Sequence, residues 1–118
     1  MNAVVNYLEE HILEEPDLEK LGRLAGCSTH HFRRIFTYIG GITLSEYLRR
    51  RRMSLAAVDL KSESTRVIDI AQKYGYDSPT AFNRAFQTVH GITPTQARES
   101  GVCLKAFPPL VFRMIVKG

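Results

Sequence analysis

The sequence predicts an all-α protein: two helix–turn–helix subdomains joined by a long linker helix, about seven helices in all, with a short extended C-terminal tail. The first observation behind this is a repeat. Phe32 to Thr43 (FRRIFTYIGGIT) returns 50 positions later as Phe82 to Thr93 (FNRAFQTVHGIT), with six of twelve positions identical, where chance gives about one. The second is that Leu18–Gly26 (LEKLGRLAG) matches Val67–Gly75 (VIDIAQKYG) at an offset of 49, so the one-residue slip falls in the turn between the two halves of a unit. The third is an apolar period of three to four residues, punctuated by residues that start and stop helices.

Residues 2–15 read as the first helix. Val4, Val5, Leu8, Ile12 and Leu13 form its apolar stripe, and Glu9, Glu10, Glu14 and Glu15 lie outside it. Pro16 stops it. Asp17 can cap a second helix over 18–25, with Leu18, Leu21, Gly22 and Ala25 inward. Gly22 is a mild weakness there, because glycine is a poor helix former. Gly26 supplies a turn, and Ser28 caps a third helix of about 29–39 that buries Phe32, Ile35, Phe36 and Ile39.

Thr43 with Glu46, and Thr93 with Gln96, form capping boxes. In each, the hydroxyl takes one orphan amide and the Glu or Gln side chain takes another. The first box opens the linker helix, roughly 44–61. One apolar stripe on it is Leu44, Tyr47, Leu48, Leu55 and Val58; a second is Met53, Ala56, Ala57 and Leu60. A surface helix needs one stripe, so two predict a helix clasped between small lobes. The second unit repeats the first. Helix 67–74 turns Val67, Ile70, Ala71 and Tyr74 inward, Gly75 turns the chain, and helix 79–89 buries Phe82, Ala85, Phe86 and Val89. Ser78 caps that helix, and Pro79 takes its first position, where a missing N–H is not needed. A short last helix, 94–99, ends before Gly101. Phe107–Gly118 (FPPLVFRMIVKG) then changes character to a Pro-Pro break and a β-rich apolar run with no partner strand.

At 118 residues the chain is one domain, or two very small ones sharing a helix. Cys27 and Cys103 are too few for a secreted disulfide scaffold, and the N-terminal stretch is acidic where a secretory leader is basic and then apolar. No apolar run reaches the length of a membrane span. A cytoplasmic protein with no membrane partner is expected. The net charge of +4 is unevenly spread: residues 1–20 hold six acids and one Lys, a local −5, and residues 21–118 hold fifteen bases and six acids, a local +9. The basic part suits a polyanion.

The face opposite the buried stripe of the second helix in each unit carries the candidate chemistry. In unit one it is His30, Arg33, Arg34 and Thr37; in unit two it is Thr80, Asn83, Arg84 and Gln87. Both sets follow i, i+3, i+4, i+7. Arg can donate two hydrogen bonds to guanine, Asn and Gln can pair with adenine, and Thr can bond a base or touch a thymine methyl. A plain solvated face is the bland alternative, and the recurrence of the set behind a Gly turn and a short helix speaks against it. Arg34 and Arg84 occupy equivalent positions, and an ion pair buttressing one of their own helices stays open. So does the role of Arg49-Arg50-Arg51-Arg52, a run that spreads around the linker helix at about 100° per residue: phosphate contact or bridges to the lobes. Cys27, His30 and His31 resemble a metal cluster only superficially, since a second ligand pair is missing. No metal, no cofactor and no catalytic constellation are expected, so the chain does not read as an enzyme.

Together these residues resemble the DNA-binding domain of AraC/XylS-type transcription regulators. The resemblance rests on LGRLAGCS at Leu21–Ser28 with Phe32, Arg34 and Phe36, on SEYLRRRRM at Ser45–Met53, on DIAQKYGYDS at Asp69–Ser78, on Phe82, Arg84 and Phe86, and on GITP at Gly91–Pro94. It covers about residues 2–101. It implies a homeodomain-like DNA-binding domain over 1–103, with unit one at about 2–43, the linker at about 44–61 and unit two at about 62–101. It also implies a bacterial source, binding to double-stranded promoter DNA, and activation of transcription with RNA polymerase as a further partner. The family's base readers fall here on His30, Arg33 and Arg34 in unit one, and on Pro79, Thr80, Ala81 and Arg84 in unit two. Pro79 and Ala81 cannot donate side-chain hydrogen bonds, which leaves Arg84 as the best reader of unit two. Residues 104–118 look like the connector, or first strand, into a GyrI-like effector domain missing from this chain, through which alone a small-molecule effector would act; the alternative is a stand-alone regulator with a frayed tail. The rival reading is a basic helical module that binds an acidic protein.

Overall fold

The computed structural model describes residues 1–62, 64–100 and 107–110. Seven helices appear among them: α1 Asn2–Glu10, α2 Leu18–Ala25, α3 Thr29–Gly40, α4 Leu44–Asp59, α5 Val67–Lys73, α6 Pro79–His90 and α7 Pro94–Ser100. The all-α class and the order of elements match the prediction. The expected β-rich run falls on residues 111–118, outside the described residues, as do 101–106. The chain divides into two compact units, built on Met1–Tyr47 and on Leu48–Pro108. Helix α4 starts in the first and contributes most of its length to the second.

In the first unit α1 and α3 both pack on α2. Val4, Val5, Leu8, Leu21, Phe32, Phe36, Leu44 and Tyr47 are buried. The Phe36 ring lies 6.1 Å from that of Phe32 and 5.6 Å from that of Tyr47, centroid to centroid. Each fully buried aromatic of this kind contributes about 1.5–3 kcal/mol. The caps form as the sequence implies: Asp17 accepts from the Lys20 amide at 3.2 Å, Ser28 from the His31 amide at 3.3 Å, and Thr43 from the Glu46 amide at 3.2 Å. Gly26 turns the chain at φ 72°, a left-handed value that glycine reaches without a Cβ penalty. Gly22 does more than weaken α2. A Cβ there would stand 3.0 Å from the Cys27 carbonyl oxygen and 3.2 Å from the Thr29 amide, so the bare glycine lets the turn close over the helix.

Two expectations fail in this unit. Helix α1 ends at Glu10 and not at 15. Pro16 has no N–H for the Ile12 carbonyl, and its ring disfavours helical backbone at Glu15, so the last turn expected has nothing to hold it. His11 and Glu14 pair across the turn that replaces it. Leu13 is accordingly exposed at 48%. Ile39, expected inward, is exposed at 50%.

The second unit has one continuous core. Helix α4 gives Met53, Ala56, Ala57 and Leu60, α5 with its cap gives Ile70, Ala71 and Tyr74, and α6 gives Phe82, Phe86 and Val89. Val58, expected in the other stripe of α4, is exposed at 61%, one residue before the helix ends. Helix α5 stops at Lys73, with Tyr74 as its C-cap. The Tyr74 hydroxyl donates to Asp59 at 2.7 Å, and Lys73 donates to the same carboxylate oxygen at 2.9 Å. Burial, and then the Asp59 carboxylate, hold the Tyr74 phenol well above its ordinary 10.0. Thr93 and Gln96 form a complete capping box for α7, with bonds of 3.0 and 3.1 Å. From α7, Arg98 donates to the carbonyls of Leu60, Ser62 and Thr65 and closes the α4–α5 connection.

The arginine run is settled in part by this unit. Arg51 is buried and donates through Nη1 to the Phe107 carbonyl at 2.5 Å. The Phe107 amide donates to the Ser54 hydroxyl at 2.9 Å, and the Arg50 guanidinium sits 5.1 Å from the centre of the Phe107 ring. Both backbone polar groups of Phe107 are thus satisfied by side chains of α4. Arg49 is exposed, and the positive charges of Arg49 and Arg52 oppose the rise that burial gives the Tyr76 phenol.

Candidate nucleic-acid interface

The polar faces of α3 and α6 are fixed by what their other sides bury. On α3, Phe32 and Phe36 are fully buried. On α6, Phe82 and Phe86 are equally buried, with ring centroids 5.9 Å apart. With these pairs turned inward, the i, i+3, i+4, i+7 residues on the opposite side must face out. His30, Arg33 and Arg34 are exposed on α3, and Thr37 is half-buried. Thr80, Arg84 and Gln87 are exposed on α6, and Asn83 is half-buried. The structure therefore collects each predicted set on one face of its helix.

Arg34 and Arg84 make no ion pair or hydrogen bond among the described residues, so neither buttresses its own helix. Both guanidiniums keep their donors for an outside acceptor. Thr37 is less free: its hydroxyl donates to the Arg33 carbonyl at 2.9 Å, a back-bond within the helix. Thr88 does the same to the Arg84 carbonyl at 2.8 Å. Each helix begins at a serine cap behind a glycine turn. Ser28 caps α3, and the Ser78 hydroxyl accepts from the Ala81 amide at 3.1 Å. Pro79 and Ala81 are exposed at the start of α6, where they offer no side-chain donor.

Beside the predicted set, α3 carries a shallow cleft lined by His31, Arg34, Ile35 and Tyr38. The repeat register alone does not point to it, because three of these four residues differ between the units. The Phe107 clamp on Arg51 and Ser54 also escapes a reading of the sequence. Its partners lie 56 and 53 positions apart, and no local pattern links them.

Comparison with known proteins decides what these faces belong to. A family described as a helix-turn-helix domain matches residues 21–100. The transcriptional activator AarP of Providencia stuartii is 34% identical over 100 residues, covering 85% of this chain and 74% of the relative. The chain belongs to the AraC/XylS-type family. Members are DNA-binding transcription regulators, and this chain is one. The regulatory protein SoxS of Salmonella typhimurium is 32% identical over 98 residues, covering 83% of this chain and 92% of the relative. Among solved structures, the DNA-binding domain of AdpA, a global transcriptional factor, in complex with a target DNA is similar with a TM-score of 0.68 and 30% identity, over 84% of this chain and 89% of that one. No helix among the described residues is long and apolar enough to cross a membrane.

Proposed function

We propose that this AraC/XylS-type chain binds promoter DNA by sequence and activates transcription, with α3 and α6 entering major-groove segments about one helical turn apart. One observation carries the proposal: the same outward polar face occurs twice, each time on a helix pinned by a buried Phe pair behind a capped glycine turn. On α3, His30, Arg33 and Arg34 contact bases and Thr37 packs alongside. On α6, Arg84 and Gln87 read bases while Thr80 and Asn83 position the helix. Arg34 and Arg84 are the strongest readers, because a guanidinium without an internal partner can donate two bonds to guanine. Where the two helices do not meet the duplex in register, bending of the DNA supplies the difference. Activation would engage RNA polymerase in the cytoplasm; the likeness to an activator supports this reading.

The test begins with selection of bound sites from a random duplex pool, followed by a salt titration on the enriched site. With a charge of +9 over residues 21–118, neutralising about six phosphates gives a slope of log K against log salt of about −5. A slope near zero, or a pool without an enriched sequence, contradicts the proposal. The rival protein-binding module predicts both of those failures.

A further inference from the structure

The cleft on α3 is a property of unit one that its repeat partner does not share. It is lined by His31, Arg34, Ile35 and Tyr38. Fifty positions on, the same places hold Ala81, Arg84, Ala85 and Thr88. The arginine is common, and the three residues around it shrink in unit two. Tyr38 is 90% exposed, an unusual state for a tyrosine ring with no structural task. Ile35 is half-buried and forms an apolar floor. At about 100° per residue, Arg33 falls on one flank of the His30–Arg34–Thr37 strip, and His31 and Tyr38 fall together on the other.

The local bonding prepares His31 as a donor. The Ser28 hydroxyl oxygen already accepts from the His31 amide at 3.3 Å, and it stands 2.7 Å from His31 Nδ1. When that hydroxyl donates a hydrogen bond to Nδ1, the ring's own proton sits on Nε2, which is left to donate outward. Tyr38, about two helical turns beyond His31 on the same flank, supplies a second neutral donor. Thr88, its counterpart, has its hydroxyl proton committed to Arg84.

We propose that this cleft seats the sugar–phosphate backbone of one DNA strand, with His31 Nε2 and the Tyr38 hydroxyl donating to a phosphate and Ile35 against the deoxyribose. The idea rests on the reading of α3 as a recognition helix, since the cleft is continuous with that face through Arg34. It makes unit one the firmly seated half of the domain, gripping the duplex on the flank opposite Arg33. His31 and Tyr38 are positioning residues: they hold α3 in the groove and do not choose bases.

The test uses the full 118-residue chain and a duplex enriched by it from a random pool, with single methylphosphonates walked along each strand. Tyr38→Phe and His31→Ala should each weaken binding about three- to tenfold, the size expected for a lost hydrogen bond, with no change in base preference. At one phosphate the methylphosphonate should weaken the unchanged protein by a similar factor and weaken Tyr38→Phe no further. Because Tyr38 is almost wholly exposed, the thermal melt should stay the same. Arg34→Ala separates the two levels of the account. If it relaxes base preference while Tyr38→Phe and His31→Ala bind normally, the cleft proposal is wrong and the recognition helix stands, leaving the strip to face a protein. If the chain enriches no sequence from the pool, the recognition reading itself fails. Losses that add in full at every phosphate also overturn the cleft proposal.

Discussion

The two units share a scaffold and differ at their surfaces. Phe32 and Phe36 correspond to Phe82 and Phe86, and all four are fully buried. Ser28 and Ser78 cap equivalent helices, α3 and α6, and Gly26 and Gly75 turn the chain at φ 72° and 85°. Outside this frame the pairs diverge: His30 against Thr80, Arg33 against Asn83, Tyr38 against Thr88. Ile39 is 50% exposed where its partner Val89 is 8% exposed, so even the margin of the core is drawn differently. The positions that repeat are those the fold needs. The positions proposed to carry individual function are those that do not repeat, with Arg34 and Arg84 as the exception that links the two. Gly22 and Ala71 show the same division inside the core. The turn of unit one closes tightly over a bare glycine, while unit two accommodates a methyl group that is 1% exposed.

The comparison makes its strongest claim about the frame. Phe32→Ala and Phe82→Ala should each lose about 3–5 kcal/mol of stability, measured by denaturant unfolding. Unequal losses, with one substitution near neutral, would show that the repeat of sequence is not a repeat of energetics. Met53→Ala, in the core of unit two at 0% exposure, should follow at about 2–5 kcal/mol.

The arginine run offers a contrast within one helix. Arg51→Ala removes a charged donor from a partly buried carbonyl and should lose about 1.5–3 kcal/mol. Arg49→Ala, at an exposed site, should stay within about 0.5 kcal/mol and should instead weaken DNA binding if Arg49 meets a phosphate. Similar stabilities for the two variants would dissolve the clamp on Phe107.

Unit two has a pH signature of its own. Burial and Asp59 raise the Tyr74 phenol above its ordinary 10.0 in the folded state. Its contribution to stability is therefore whole below pH 10 and is lost as the pH rises beyond it. Denaturant curves between pH 8 and pH 11 should show that decline, and Tyr74→Phe should flatten it, with Tyr76, raised in the same direction by burial, accounting for the remainder. A decline of the same steepness in Tyr74→Phe would assign it elsewhere. The smallest effect is expected at Ile39. Ile39→Ser should change stability by no more than about 0.5 kcal/mol, whereas a substitution of that kind at Val89 strikes the core.

The fold was legible because its signals are local. Caps at Asp17, Ser28, Thr43, Ser78 and Thr93, glycines at the turns and Phe pairs at helical spacing each act within a few residues, and the internal repeat doubles all of them but the Asp17 cap, whose counterpart Arg66 makes no side-chain cap bond. The errors were of degree at element ends. The apolar stripe of α1 runs on in the sequence to Leu13, past the reach of the helix's hydrogen bonds, and periodicity alone points Ile39 and Val58 inward. A helical wheel gives direction, and it does not tell how far a neighbouring element extends to cover a residue. The outward sets on α3 and α6 were equally legible, because burying one side of a helix determines the other. The Phe107 clamp and the His31–Tyr38 cleft were not, since the first joins distant segments and the second depends on side-chain size on one helix only.

The central claim is that Arg34 and Arg84 do the same work in two places. The direct measurement is the binding of Arg34→Ala and Arg84→Ala to a panel of single-base variants of the selected site. A bidentate Arg–guanine contact discriminates by about 1–3 kcal/mol. Arg34→Ala should relax preference at one position, and Arg84→Ala at another roughly ten base pairs away. Uniform weakening of every variant by either substitution would contradict the claim for that arginine and reduce it to a phosphate contact.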